Sequence, residues 1–522
     1  MTSNEVLEIY KDTYLKLKKL PTIDELQKVG VTERQIRRNF STLSGLVAAA
    51  RKEFPEVFEN LIDSEFLSPK NFKKIKEELI GFKKFVITTA VNGCEVHQGF
   101  LESIYNYCKI HNAALIILPS NDPAHNLDNK YMWDFDPLVK KHLVFDDLRL
   151  NSNLFISTIK ISAKMVDPIT GMERLGNRNG SFIFASPKQR LKYVAVGNTK
   201  LPHALMTTGA LTKSNYKTTR FMSERTAYIS DYDHLMGALI VEIVDNNIFH
   251  FRQIQAEHSG AFVDLAKKYT PNLVEECSPE AIVLGDLHSG DTDPIAFRCF
   301  EDLIKETNPK KIVLHDVHNG SSTNHHNLHK SIQEAKNPIT LEQELKVLSK
   351  DLSYISSLAK EIIVVKSNHE EFLEKFLEAA GYIYQKHNYR LSLELCLAML
   401  DGHNPVQFAL ENKFGLKNKE KFTWLKRDDD YKIAGIQIAA HGDLGNNGSR
   451  GNIKMSESSY GACCVGHSHT AQILRSVFVV GTCTKLKLDY NRGASSWTQT
   501  SCIIYKNGSR QLINCINGKY KS

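Results

Sequence analysis

The sequence predicts an α/β protein whose C-terminal domain packs two sheets between helices, preceded by a second α/β domain and a small N-terminal helix-turn-helix unit. Three observations carry this expectation. Short apolar runs recur along the C-terminal part, each stopped at once by a polar cluster, as buried strands of an open sheet are. The long pattern LEQELKVLSKDLSYISSLAK (341–360) has helical apolar spacing and feeds the run EIIVV, which is the crossover a parallel sheet requires. Upstream, FVITTA (85–90), a helical pattern from His97 to His111 and ALIILPS (114–120) repeat the strand, helix, strand order.

At 522 residues, with 42% hydrophobic and 24% charged, the chain has the length of about three domains and an ordinary globular composition, which excludes disordered and fibrous classes. The expected domains are 1–65, 66–275 and 276–522. A net charge of +7 is compatible with a polyanionic partner but does not require one. No apolar run approaches the roughly 20 residues of a membrane span, and the polar start MTSNEVLEIY is unlike a signal peptide. A cytoplasmic protein without membrane association is therefore expected, and a homo-oligomer is compatible with everything read so far. The ten cysteines include no CxxC pair, and Cys299, Cys396, Cys463 and Cys464 lie in apolar runs, as reduced core thiols do.

Residues 1–65 read as helices: an amphipathic stretch from Asn4 to Lys19, then TIDELQKVGVTERQIRRNFS, then SGLVAAARKEF. Thr22 can cap one helix, Gly30 can make a turn, and Thr32 can cap a second helix that turns Ile36 and Phe40 inward and Arg34, Arg37 and Arg38 outward. This is helix-turn-helix punctuation. It implies DNA as a partner, with Arg34, Gln35, Arg37 and Arg38 at the major groove and Lys18, Lys19, Arg51 and Lys52 near phosphates. The competing reading is a solvated helical bundle for protein contacts. Ten basic against six acidic residues in 1–52 leave an excess of only +4.

The segment from Ser68 to Lys84 reads as a charged helical connector. Strand-like runs follow at Leu154 to Ile161, Phe182 to Ala185, Tyr193 to Val196 and Leu239 to Val244, with candidate functional loops at 119–129 and 176–181. Residues 85–275 contain no phosphate-binding glycine fingerprint, nucleophile elbow or metal cluster, so a scaffold or assembly surface is the simplest role.

Chemistry concentrates after residue 276. AIVLGDLHSG (281–290) places Asp286 and His288 two residues apart just past a buried run. Alone, such a pair is more often a capping Asp beside a surface His. The pattern repeats, however: KIVLHDVHNG, EIIVVKSNHE, GIQIAAHGD and YGACCVGHSH deliver Asp316, Asn368, His441, His467 and His469 to successive strand ends. Carboxylate oxygen, amide oxygen and imidazole nitrogen form a donor set suited to Mn, Fe or Zn, and seven such groups exceed what one ion needs. Two ions sharing a bridging carboxylate is the economical reading. The His-dense insert 319–330, with His325, His326 and His329, reads mainly as a surface loop. His318, Asn319 and Arg450 are candidates for substrate contact, Arg450 because the glycines of HGDLGNNGSRG (441–451) let the backbone approach an anion. The tail is β-rich, with Asn507-Gly508 turning a hairpin, and is expected to close a second sheet.

These motifs resemble the ordered signature DxH, GD, GNH(E/D), H and GHxH of the calcineurin-like metallophosphoesterases. The resemblance implies two divalent ions, with Mn²⁺ expected and Mg²⁺, Zn²⁺ and Fe²⁺ as alternatives. It gives one ion to Asp286, His288, Asp316 and His469 and the other to Asp316, Asn368, His441 and His467, with Asp316 bridging and His369 as the non-ligand catalytic histidine. His315 and Ser367 stand where the family has glycines, neither being a ligand position. The phosphate-gripping arginines of the protein-phosphatase branch are missing, which argues against phosphoserine or phosphothreonine substrates.

The implied reaction is two-metal phosphodiester hydrolysis by a hydroxide bridging the ions. The nuclease branch that includes SbcD-type repair enzymes is the leading expectation, since a phosphodiesterase core is joined to a candidate DNA-reading helix. Phage-encoded members that degrade host DNA, acting in the host cytoplasm, have a similar arrangement. The alternatives are a small-molecule phosphodiesterase or phosphatase, and a DNA-binding or assembly protein with a regulatory metal site.

Overall fold

The computed structural model describes residues 1–59, 61–62, 69–120, 133–197, 201–216, 223–324, 339–488 and 491–522. The chain divides into two compact units, one of Met1–Leu191, Ala204–Asp264 and Lys268–Glu275, the other of Lys192–His203, Leu265–Lys267 and Glu276–Ser522. The class is α/β, as the sequence predicts.

The first unit opens with helices Ser3–Leu17, Ile23–Lys28, Glu33–Phe40 and Leu43–Glu53. The first three each begin with a capping box, Thr2 with Glu5, Thr22 with Glu25 and Thr32 with Gln35, which satisfies amide donors that a helix start leaves open. Gly30, at φ 93°, supplies the left-handed turn before the third helix. Val6, Tyr10, Leu26, Ile36, Leu46 and Phe58 meet in one core. Leu61–Ile62 pairs antiparallel with Trp133–Asp134, and the Tyr14 hydroxyl donates to Asp134 at 2.9 Å, so the helices are tied to a later part of the same unit.

The strand, helix, strand motif runs Lys84–Val91, Gln98–His111 and Ala113–Ser120, its strands parallel. Gly237–Ile243 pairs antiparallel with the first of these strands, and Phe249–Gln255 pairs antiparallel with Gly237–Ile243. Two expectations need correction. The strand begun at Leu154 stops at Ser157. The sequence GNRN is not loop but the end of helix Glu173–Asn179, which terminates at Gly180 with φ 117°. Of the loop 119–129, residues 121–129 lie outside the described residues.

The second unit contains a six-stranded sheet. Ala281–Val283, Lys311–Leu314, Glu361–Val364 and Phe422–Trp424 are successive parallel neighbours. Its helix Leu341–Ile355 buries Leu341, Leu345, Leu348, Leu352 and Ile355, one stripe at helical spacing. The tail hairpin, Thr500–Ile504 and Arg510–Asn514, does not close a second sheet as expected. It joins this one, antiparallel to Ala281–Val283, because Thr500–Ile504 is buried along its whole length and so fits an interior position. The other strands of the unit, Lys432–Ile433, Ile436–Gln437, Cys463–Val465, Val477–Val479 and Gln472–Leu474, are hydrogen-bonded neighbours in that order and give a two-sheet α/β sandwich.

Candidate metal centre

Four of the predicted donors, Asp286, His288, Asp316 and His469, converge just past strand ends. Beyond Val283 the backbone keeps its ladder, Leu287, His288 and Ser289 donating to the carbonyls of His315, Asp316 and Val317 at 3.0, 2.7 and 3.1 Å. This holds Asp286 and His288 beside Asp316. Gly285 allows close passage, since a Cβ there would lie 2.7 Å from the Thr482 backbone. Gly466 is required more strictly: its Cβ would meet Asp286 Oδ1 at 2.2 Å, so only glycine lets the 466–469 loop reach the carboxylate.

Asp286, His288, Asp316 and His469 are all buried, with donor atoms within 4.8 Å of one another, a group that can hold a metal ion. Nε2 of His288 and Nε2 of His469 lie 2.9 Å apart, the latter 3.2 Å from Asp286 and the former 3.5 Å from Asp316. Donor separations of about 3–3.5 Å are what ligands roughly 2.0–2.2 Å from a shared ion show. On the other side of Asp316, His441 Nε2 approaches its carboxylate at 3.1 Å, and the His467 ring packs edge-on against His441 at 5.3 Å. Both Asp286 oxygens, Asp316 Oδ1 and Asn368 Oδ1 are buried without a hydrogen-bond partner. Burying so many unpaired acceptors is costly without a cation among them, so the donor set fits a divalent metal.

The electrostatics agree. Burial lowers His288 to about 3 and His315 to about 4, keeping these imidazoles neutral. For Asp316 burial acts upward, but the imidazoles of His441, His369 and His288 outweigh it and hold the carboxyl well below its usual range. At His441 burial is overcome by Asp316, in charge and hydrogen bonding, and the group is pushed up to about 9. Without a metal, the paired carboxylates draw a proton to a place where a cation would otherwise supply the charge.

Backbone strain marks the same residues. His288, Asp316, His467 and His469 have φ of 42°, 46°, 72° and 54°, in the left-handed region that side-chain-bearing residues seldom occupy. Such conformations cost of order 1–3 kcal/mol each and persist where surrounding structure over-determines them, typically at ligand sites.

Asn368 and His369 open helix Asn368–Glu378, which Ser367 caps in a box with Glu370. Ser367 in place of glycine thus has a local reason, and the buried Glu370 carboxylate also accepts from the His318 amide at 3.4 Å. His369 is half-buried, 4.5 Å from the His288 ring, and its Nδ1 lies 2.8 Å from the Asn319 carbonyl. A carbonyl only accepts, so Nδ1 carries the proton and Nε2 is the nitrogen left for other partners.

Asn319, expected at substrate, instead donates its amide to Asp291 at 2.7 Å and Ser321 at 3.0 Å while its carbonyl orients His369. His318 is buried, with Nε2 3.9 Å from Glu344. Arg450 is exposed. The loop glycines fold the loop onto itself, since a Cβ on Gly451 would lie 2.1 Å from the Gly442 carbonyl. His325, His326 and His329 lie outside the described residues.

Two supports were not legible in the sequence. His315 Nδ1 sits 3.3 Å from His441 Nδ1 and orients that ring. Arg427 grips Asp443 through both terminal nitrogens at 2.7 and 2.9 Å and Glu371 through Nε at 2.7 Å, tying the loop after His441 to the helix that starts at Asn368. The run LKRDDD around it looks in sequence like a solvated charge cluster.

In the N-terminal helices, Arg34, Arg37 and Arg38 are exposed, Arg37 paired with Glu33 at 2.7 Å. The Gln35 side-chain carbonyl closes the capping box on Thr32. Lys19, expected near phosphates, is only 1% exposed and pairs with Glu25 at 3.1 Å, so it cannot reach DNA. It sits in the helical core, where the carboxylate compensates its charge.

The fold and site therefore define an α/β protein with a buried Asp/His cluster able to hold a metal ion. No helix among the described residues is long and apolar enough to cross a membrane. The chain is 29% identical over 479 residues to Protein A1 of Escherichia phage T5, a match covering 84% of this chain and 83% of that protein. No family model and no solved structure matches it.

Proposed function

We propose that this chain is a two-metal-dependent phosphodiesterase of the calcineurin-like type, acting as a DNA nuclease. The observation that carries the reading is the convergence of Asp286, His288, Asp316 and His469 on one point, with His441 on the far side of the same Asp316 carboxylate. One cation is assigned to Asp286, His288, Asp316 and His469, the other to Asp316, Asn368, His441 and His467. Bound divalent ions, Mn²⁺ foremost, supply Lewis-acid stabilisation of phosphoryl charge and make water a usable nucleophile near neutral pH. Asp316 serves both positions and keeps them adjacent. His369, fixed through Nδ1 by Asn319, presents Nε2 to the leaving oxygen and, when protonated, donates to it. Arg450 offers a charged contact to the phosphate backbone.

DNA as substrate is supported by the exposed arginines of helix Glu33–Phe40, and the similarity to a phage protein supports a role in phage-directed DNA degradation in the host cytoplasm. The test is cleavage of linear, circular and single-stranded DNA and of bis-p-nitrophenyl phosphate by metal-stripped protein resupplied with Mn²⁺, Mg²⁺ or Zn²⁺. DNA cleavage restored by metal is expected. Hydrolysis of the small diester alone would point to a small-molecule enzyme, and no hydrolysis of either would overturn the enzymatic reading.

A further inference from the structure

Helix Tyr389–Leu400 carries apolar residues on two opposite faces. Ser392, Leu395 and Ala398 are buried against the unit. Tyr389, Leu393, Leu397 and Leu400 lie on the other side at 44%, 44%, 63% and 82% exposure. At about 100° per residue these four fall within one arc of roughly 80°, one continuous apolar stripe on the helix. Tyr382 packs edge-on against Tyr389 at 5.6 Å, and the next residues, Ile383 and Tyr384, are exposed as well, Tyr384 at 90%. With roughly 200 Å² for a fully exposed large side chain, the patch amounts to about 700 Å². That exceeds what a monomer ordinarily leaves in water and approaches the roughly 800 Å² per partner of a stable association.

We infer that this face is the docking surface for a second copy of the chain, the two helices pairing antiparallel about a two-fold axis between Leu393 and Leu397. The charges select the arrangement. Arg390 is 95% exposed, paired along its own helix with Glu394 at 3.2 Å, and Asp401 at the helix end is exposed on the same flank of the stripe. Antiparallel helices bring like flanks together, so each Arg390 meets the Asp401 end of the other copy. In a parallel pair Arg390 would instead face the flank bearing Cys396 and Met399, which offers it no counter-charge. The patch is therefore complementary to itself, as an isologous interface must be.

The experiment is analytical ultracentrifugation of the full chain at micromolar concentration, with thermal melting to confirm folding of each variant. The wild type is expected at twice the mass of one chain. Leu397→Glu with Leu400→Glu should weaken association by about a hundredfold or more. Arg390→Glu should weaken it by about tenfold, and Arg390→Glu with Asp401→Arg should restore it. The charge variants alter only exposed residues, so they decide the matter if the leucine variant does not fold. A wild type that sediments as one chain, or an assembly that none of these variants shifts, overturns the inference.

Discussion

His369→Ala separates the catalyst from the ligands. The substitution removes one hydrogen bond, Nδ1 to the Asn319 carbonyl, and ring contacts with His288 and Phe372 at 4.5 and 4.7 Å. For a half-buried side chain this costs about 2 kcal/mol of stability, small beside the 5–15 kcal/mol of an ordinary domain, so the variant folds and retains its metals. If Nε2 protonates the leaving oxygen, kcat on DNA falls by about 10²–10⁴, equivalent to roughly 3–5 kcal/mol of transition-state stabilisation. The loss must depend on the leaving group. A deoxyribose alkoxide needs a proton to depart, whereas p-nitrophenolate is a weak base and leaves readily without one. On bis-p-nitrophenyl phosphate the same variant should lose less than about tenfold. The assay is kcat on both substrates with metal content measured on the same samples, and His441→Ala as the contrasting variant, which should lose metal affinity first and recover in part with excess Mn²⁺. Equal loss on both substrates would remove the proton-donor role. Loss of metal, or rescue of His369→Ala by excess Mn²⁺, would make His369 a ligand and refute the division of roles.

Asp316→Asn should abolish hydrolysis and lower metal content, because its carboxylate faces both His288 and His441; elemental analysis with turnover checks this. Stripping the metals should lower the melting temperature: at a hundredfold excess over Kd each ion contributes about 2.7 kcal/mol, roughly 5–10 °C per ion for a unit of this size, and calorimetry with and without chelator measures it. Arg427→Met removes the bidentate partner of Asp443 and leaves Glu371 to Lys375, and should destabilise the second unit by about 2–4 kcal/mol, lowering metal affinity through the loose His441 loop, as melting and metal titration would report. Replacing Arg34, Arg37 and Arg38 by alanine should weaken DNA binding and flatten its salt dependence by about one unit of slope per lost phosphate contact, with bis-p-nitrophenyl phosphate hydrolysis unchanged. Point substitutions are the right tool there. Deleting residues 1–65 would also remove the strand paired with Trp133–Asp134 and the Tyr14 bond to Asp134, and so damage the rest of the unit.

What the sequence revealed and what it concealed divide along physical lines. Apolar runs ending in donor side chains were legible because a parallel strand is buried on both faces, which makes a continuous run, and because its carboxyl end is where a side chain can leave the core. The helix caps were legible for a similar reason: Thr22 and Thr32 bond to backbone three residues away, an interaction written entirely in local sequence. Lys19 and Thr500–Ile504 were misread because their fates depend on partners distant in space. A lysine at the end of an amphipathic stretch gives no sign that Glu25 will draw it into the core, and an apolar strand near the terminus gives no sign of which sheet will accept it. The same limit hid Arg427, whose partners lie 16 and 56 residues away. Backbone strain was the least legible feature, since nothing in a histidine or an aspartate announces a positive φ. Yet it bears directly on the site, because a strand continued in extended geometry turns successive side chains to opposite faces. The left-handed residues at His288, Asp316 and His469 break that alternation just where the strands end, and this is how donors from separate strands are turned toward one point. Glycine at any of these positions would relieve the strain and remove the donor, so the fold keeps both together.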